Sequence, residues 1–201
     1  MMSKVLDELI DSIKCLPGVG PKSATRMAYY LLQRDPKGAR RLANSILNSF
    51  ELLGKCTSCN NFSETPICDL CLDPKRNKKI LCIIEMPTDL LMFEQTHSFE
   101  GMYYILMGRL SPLDGIGPKD LNMGGLYDRC KDEQIEEIII ATNFTKEGDA
   151  TATYITELLK DLGKKLSRIA RGMPSGSEIE YTDSGTLAQA ISERKTINQK
   201  F

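Results

Sequence analysis

Residues 56–71 read Cys56-Thr57-Ser58-Cys59-Asn60-Asn61-Phe62-Ser63-Glu64-Thr65-Pro66-Ile67-Cys68-Asp69-Leu70-Cys71. Two C-x₂-C pairs stand eight residues apart. Each pair places two thiolates on one tight knuckle, and two knuckles close a tetrahedron around Zn²⁺. The stretch between them is short and polar and cannot form a core alone, so bound metal would supply its folding energy. Stable disulfides or two redox pairs are the competing readings, and a cytosolic setting disfavours them. Four thiolates leave no open position, so Cys56, Cys59, Cys68 and Cys71 are expected to hold one structural zinc. The other three cysteines, Cys15, Cys82 and Cys130, are expected to be small buried residues.

Working outward from this segment, the two sides differ in period. On the N-terminal side Val5, Leu6, Leu9, Ile10 and Ile13 fall at helical spacing, as do Ala24, Met27, Ala28, Leu31 and Leu32. A third helix opens with Asp35 as N-cap and Pro36 at its first position. Its stripe is Leu42, Ala43, Ile46, Leu47 and Phe50, and Gly54 can end it. On the C-terminal side a basic linker with Lys75, Arg76, Lys78 and Lys79 leads into alternating strands and helices. Strands are predicted at 80–84, 102–107, 137–142 and 165–170, with helices over 149–162 and 186–196. Such alternation implies a parallel sheet with helical crossovers.

Leu16-Pro17-Gly18-Val19-Gly20-Pro21-Lys22-Ser23-Ala24 joins the first two helices. Its glycines let the backbone turn tightly and come close to a ligand. The helix that follows presents free N–H groups to an anion. Lys22 and Arg26 are four apart and share one helical face. Gly18, Gly20, Lys22 and Arg26 together make a sequence-independent phosphate clamp. The turn resembles the helix–hairpin–helix motif of DNA repair proteins. A second Gly-x-Gly at Gly115–Gly117 reads instead as a loop entering a helix.

Glu85 directly follows the first predicted strand, and Asp89 sits one turn later. Thr142-Asn143 ends the third strand, with Glu147 and Asp149 close behind. Carboxyl ends of parallel strands share one edge, so Glu85, Asn143, Glu147 and Asp149 are expected near one another, with oxygen ligands that suit Mg²⁺. Solvated acids, a metal site and a partner surface all remain open there. The region resembles the Toprim domain, which has a Glu after its first strand and Asp-x-Asp after its third. Glu85 matches; Thr142-Asn143-Phe144-Thr145-Lys146-Glu147-Gly148-Asp149 does not supply the Asp-x-Asp.

The chain has 201 residues, 41% apolar and 26% charged, an ordinary globular composition. No apolar run approaches the roughly 20 residues of a membrane span. The first residues carry acids where a signal peptide needs an apolar stretch, so a cytoplasmic, nucleoid-associated location is expected. The formal net charge of −1 hides an asymmetry: residues 1–80 hold 13 Lys and Arg against 8 Asp and Glu, while residues 81–201 hold 13 against 19. A basic part suited to phosphates precedes an acidic part suited to metal or a basic partner.

Helix–hairpin–helix, four-cysteine segment and divergent Toprim region, in that order, resemble the RecR family of bacterial recombination proteins. Leu16–Ala24, Cys56–Cys71, Leu110–Asp120, Ala141–Ala152 and Ile169–Pro174 carry the likeness, and Phe144 departs from it where the family usually has Pro. The resemblance implies an α/β fold of four parts: a helix–hairpin–helix DNA-binding region over 1–54, a four-cysteine zinc finger and basic linker over 55–79, a Toprim domain over 80–175, and a C-terminal oligomerisation segment over 176–201. It implies a non-enzymatic accessory factor in recombinational repair. Such a factor forms a homotetrameric clamp on single-stranded, double-stranded and gapped DNA and loads recombinase with RecO and RecF. Glu85, Asp89 and Glu147 would then meet RecO. A family segment described as Walker-B-like corresponds to Leu166–Asp183, and no P-loop accompanies it. The alternative is a Toprim phosphoryl-transfer enzyme, such as a nuclease, primase or topoisomerase, resting on Glu85 with Glu147 and Asp149 of the same acidic edge.

Overall fold

The structure, a computed structural model, describes residues 3–194. It divides into two compact units, Met1–Leu53 and Gly54–Phe201.

The first unit holds α1 (Lys4–Ile13), α2 (Pro21–Gln33) and α3 (Pro36–Leu52). Ala24 and Ala28 are fully buried on one face of α2, one turn apart. Their small side chains let α1 approach and bury Ile10, with Leu6, Leu9, Ile13 and Val19 around it. Asp35 caps α3 as expected, accepting from Gly38 N at 2.8 Å. A β-carbon at Gly38 would fall 1.9 Å from the Asp35 carboxylate, so the cap needs glycine there. The predicted apolar stripe of α3 is present, but α3 buries none of its residues; Phe50 is 84% exposed.

The second unit begins with the two-residue strands β1 (Gly54–Lys55) and β2 (Phe62–Ser63) and the single turn α4 (Asp69–Leu72). Then follow β3 (Asn77–Ile84), α5 (Pro87–Gln95), β4 (Gly101–Ile105), α6 (Met123–Cys130), β5 (Glu137–Ala141), α7 (Lys146–Leu159), β6 (Lys165–Arg168) and α8 (Ser184–Ser192). The four longer strands form a parallel sheet in the order β4-β3-β5-β6, as the alternation predicts. The period of two along β3 sorts its residues to two cores. Leu81 and Ile83 pack with Ile138, Ile140, Leu126 and Ile155 beneath α6 and α7. Cys82 and Ile84 pack on the other face with Leu90, Tyr103, Ile105, Cys56 and Cys59.

Several boundaries move. β3 starts at Asn77, so Lys78 and Lys79 belong to the strand rather than to a linker. Arg76 is also no free linker cation: it pairs with Glu94, donates to the Phe99 and Gly101 carbonyls, and lies over the Tyr103 ring. α7 starts three residues earlier than predicted because the Thr145 hydroxyl accepts from Gly148 N at 3.1 Å. Residues 195 and 196 of the predicted last helix lie outside the described residues. Cys82 and Cys130 are buried as expected, but Cys15 is exposed, since it falls in the turn after α1 rather than on its packed face. Gly115–Gly117 lies in a loop leading towards α6, as read. Among the described residues no helix is long and apolar enough to cross a membrane.

Candidate metal centre and nucleic-acid interface

The four cysteines of the opening stretch converge. Their sulfurs lie within 4.8 Å of one another. Cys59 and Cys68 sulfurs are 3.6 Å apart, close to the about 3.8 Å edge of a tetrahedron with 2.3 Å metal–sulfur bonds. The first knuckle closes when Asn60 N donates to the Cys56 carbonyl at 2.8 Å. Asn60 sits at φ +64°, a left-handed conformation that Asn tolerates better than most residues. The Cys68 N–H points at the Cys56 sulfur at 3.3 Å. The Cys59 hydrogen bond to Cys71, followed by that of the Ser58 hydroxyl, draws the Cys71 thiol down to about 5. The same bond and burial push the Cys59 thiol up. Thiolate donors at tetrahedral spacing fit Zn²⁺, which would supply the charge that four adjacent thiolates need.

This centre is anchored to the sheet. The Asn60 side-chain amide donates to the Ile105 carbonyl at 2.6 Å, and Ile105 N donates to the Cys59 carbonyl at 2.8 Å. Ile105 is the last residue of β4, in register with Ile84 of β3. The knuckle is therefore tied to the carboxyl edge of the sheet. Nothing in the sequence marks Asn60 for this role, since its partner is 45 residues away.

In the first unit the turn before α2 has the expected form. Gly18 sits at φ +78°, and Val19 N donates to the Leu16 carbonyl at 3.1 Å. Gly20 precedes α2 with ordinary extended dihedrals, and no side chain caps the helix. The first-turn N–H groups thus lack a side-chain acceptor, the arrangement that receives an anion. A β-carbon at Gly20 would meet nothing within 4 Å. Internal packing therefore does not require glycine there, whereas close approach of an outside group would. Lys22 and Arg26 lie on the same helix, both exposed.

The acids of the sheet edge are drawn in different directions. Glu85 is buried, 1% exposed. Asn143 donates to its two oxygens, from the backbone N at 2.8 Å and from the side-chain amide at 2.7 Å. Asp89 accepts from Met86 N at 2.8 Å and so helps cap α5. Glu147 lies half-buried in the first turn of α7. Asp149 receives Arg168 and Arg171, both at 2.5 Å. The Arg168 bond first, and the Arg171 bond second, hold its carboxyl below the usual aspartate value. Both guanidinium groups also lie over the Phe144 ring, at 4.9 and 4.3 Å from its centroid. Glu85 and Asn143 thus come together as expected, while Asp149 belongs to an arginine cluster that no spacing announced. Asp183, the end of the Walker-B-like stretch, caps α8 by accepting from Thr186 N at 2.9 Å.

The Asp149 pairing has a pH signature. A carboxylate whose folded value is depressed contributes stability in full above its ordinary value, and that contribution is lost as pH falls through the lowered value. A carbon-detected NMR titration of Asp149 should give a midpoint below that of an unpaired aspartate. Arg171→Ala should move it upward, and an unmoved midpoint would break the assignment.

Comparison with known proteins agrees with these parts in order. Residues 6–49 match the helix-hairpin-helix of RecR, 53–73 the RecR four-cysteine zinc finger domain, 79–170 the Toprim domain, and 172–195 the C-terminal part of RecR. A "Recombination protein RecR" of Chromobacterium violaceum is 53% identical over 192 residues, spanning 96% of this chain and 97% of that protein.

Proposed function

The chain belongs to the RecR family of recombination proteins, with a role in recombinational repair, and from that premise we propose that it is a non-enzymatic DNA-binding accessory factor that clamps DNA and works with RecO and RecF to load recombinase at gapped single strands. The observation that carries this reading is the uncapped N-terminus of α2 behind Gly18-Val19-Gly20, flanked by Lys22 and Arg26. Backbone N–H groups and two cations recognise phosphate without reading sequence. That suits a factor acting wherever a gap occurs, in the nucleoid.

The two glycines separate fold from function. Gly20→Ala should leave the helical unit folded yet lower DNA affinity roughly tenfold, the loss of one or two hydrogen bonds worth about 1 kcal/mol each. Gly18→Ala should instead destabilise the unit by about 1 kcal/mol, because its φ is left-handed. Binding titrations beside thermal melts distinguish the two. Equal DNA affinity in Gly20→Ala and wild type would count against the interface.

A clamp needs more than one copy. The exposed α3 stripe of Leu42, Ile46, Leu47 and Phe50 supports self-association, as does an apolar groove of about 380 Å³ lined by Ile13, Leu16, Met27, Tyr30 and Leu42. A homotetramer is the assembly this reading takes, with 176–201 adding subunit contacts. The edge carrying Asp89 and Glu147 offers carboxylates to a basic partner, for which RecO is the candidate. The reading is tested with zinc-loaded protein, labelled gapped DNA and Mg²⁺, with and without RecO. Bound DNA recovered at full length supports it; cleaved, extended or relaxed DNA would transfer support to the Toprim phosphoryl-transfer alternative.

A further inference from the structure

A Toprim centre holds a divalent cation between a Glu after its first strand and a pair of Asp after its third, so the cation supplies the charge that keeps those acids together. The corresponding edge of this chain does not fit a cation. Glu85 is 1% exposed. One of its oxygens accepts from Asn143 N at 2.8 Å and the other from Asn143 Nδ2 at 2.7 Å. Arg109 Nη1 stands 3.8 Å from the second oxygen. A β-carbon at Gly148 would lie 2.9 Å from Glu85 Oε1 and 2.0 Å from the Asn143 carbonyl, so the start of α7 passes hard against the carboxylate. Asp149 is engaged by Arg168 and Arg171. Among the described residues, only the four cysteines form a group of three or more metal-binding side chains with converging ligand atoms.

We propose that Glu85 is a positioning residue that pins the β5–α7 loop, and that Asn143 and Arg109 supply from within the chain the counterpart a cation supplies in a catalytic Toprim centre. An unpartnered buried carboxylate is expensive, and two N–H donors with a guanidinium nearby offset that cost. The geometry uses Asn143 twice, through main chain and side chain, so its position is fixed at two points. From there the loop is closed by Thr142 Oγ1 donating to the Gly148 carbonyl at 2.9 Å and by the Thr145 cap. Phe144 is presented from this closed loop, and Glu147 from the first turn of α7 that follows it. The pin serves the partner-docking reading of the edge but does not depend on it.

Both Glu85 oxygens act as acceptors, so Glu85→Gln sets an amide NH₂ against a donor despite its equal size. Asn143→Asp removes the side-chain donor and brings a second carboxylate against the first, which makes a cation useful again. The test is hydrogen exchange of the Asn143, Gly148 and Asp149 amides, which donate to Glu85 Oε1, Thr145 Oγ1 and the Thr145 carbonyl, in zinc-loaded full-length protein, with and without millimolar Mg²⁺. Wild-type protection should be the same in both. Glu85→Gln should exchange at least about tenfold faster across the loop, with strand amides unchanged and no recovery in Mg²⁺. Asn143→Asp should lose protection and regain it with Mg²⁺, and it reports on the pin even where Glu85→Gln fails to fold. Wild-type protection that rises with Mg²⁺, wild-type protection in Glu85→Gln, or wild-type protection in metal-free Asn143→Asp would each overturn the proposal.

Discussion

Cys59→Ser should lose its bound zinc and, with it, the integrity of one face of the α/β unit. Wild-type protein should carry about one Zn²⁺ per chain, as a four-thiolate centre requires. Cys56 and Cys59 lie in the same buried cluster as Cys82, Ile84, Tyr103 and Ile105. The knuckle is bonded to Ile105 at the end of β4 through the Cys59 carbonyl and the Asn60 amide. Without metal, residues 57–67 have no core of their own and would leave that face uncovered. Structural zinc binding is worth about 10–16 kcal/mol in zinc-finger peptides. If even about a third of that reaches the sheet, the unit should melt about 10 °C or more below wild type. Metal analysis and calorimetry measure both effects. Cys15→Ser, at an exposed thiol, is the control and should change neither. A metal-free Cys59→Ser that melts like wild type would mean that the centre is not structural.

The second large effect belongs to DNA. Replacing Lys22 and Arg26 together with Ala should weaken binding to every sequence alike. Each lost phosphate contact lowers the slope of log affinity against log salt by about 0.9 on duplex and about 0.7 on single strands. Two contacts per protomer should therefore cost roughly 1.8 in slope on duplex for each protomer engaged, and at low salt about ten- to a hundredfold in affinity. Anisotropy titrations across a salt series supply both numbers. An unchanged slope in a folded double mutant would move the phosphate contacts elsewhere on the chain.

What was legible in the sequence is what is local. Paired C-x₂-C spacing needs only two short knuckles, and the cysteines converge as it predicts. The helical stripes and the Asp35 cap rest on residues a few positions apart, and with the alternation of strands and helices they appear where expected within a few residues. Long-range neutralisation was not legible. Glu85 and Asn143 are 58 residues apart, and Asp149 is answered by Arg168 and Arg171 19 and 22 residues later. A shared sheet edge predicts that acids gather; only the fold shows which carboxylates are met by donors from within. The reverse held for α3, whose apolar stripe is plain in the sequence but exposed among the described residues. Asp89, placed on the acidic edge by its spacing from Glu85, also caps α5, a second role that the spacing alone does not show.

On this reading the chain assembles on DNA without altering it. Light scattering of the zinc-loaded protein on gapped DNA, alone and with RecO, tests that claim most directly. The prediction is a species whose mass equals the DNA plus four chains, with RecO adding to it. No DNA-bound species under either condition, or DNA carrying a single chain, would contradict it.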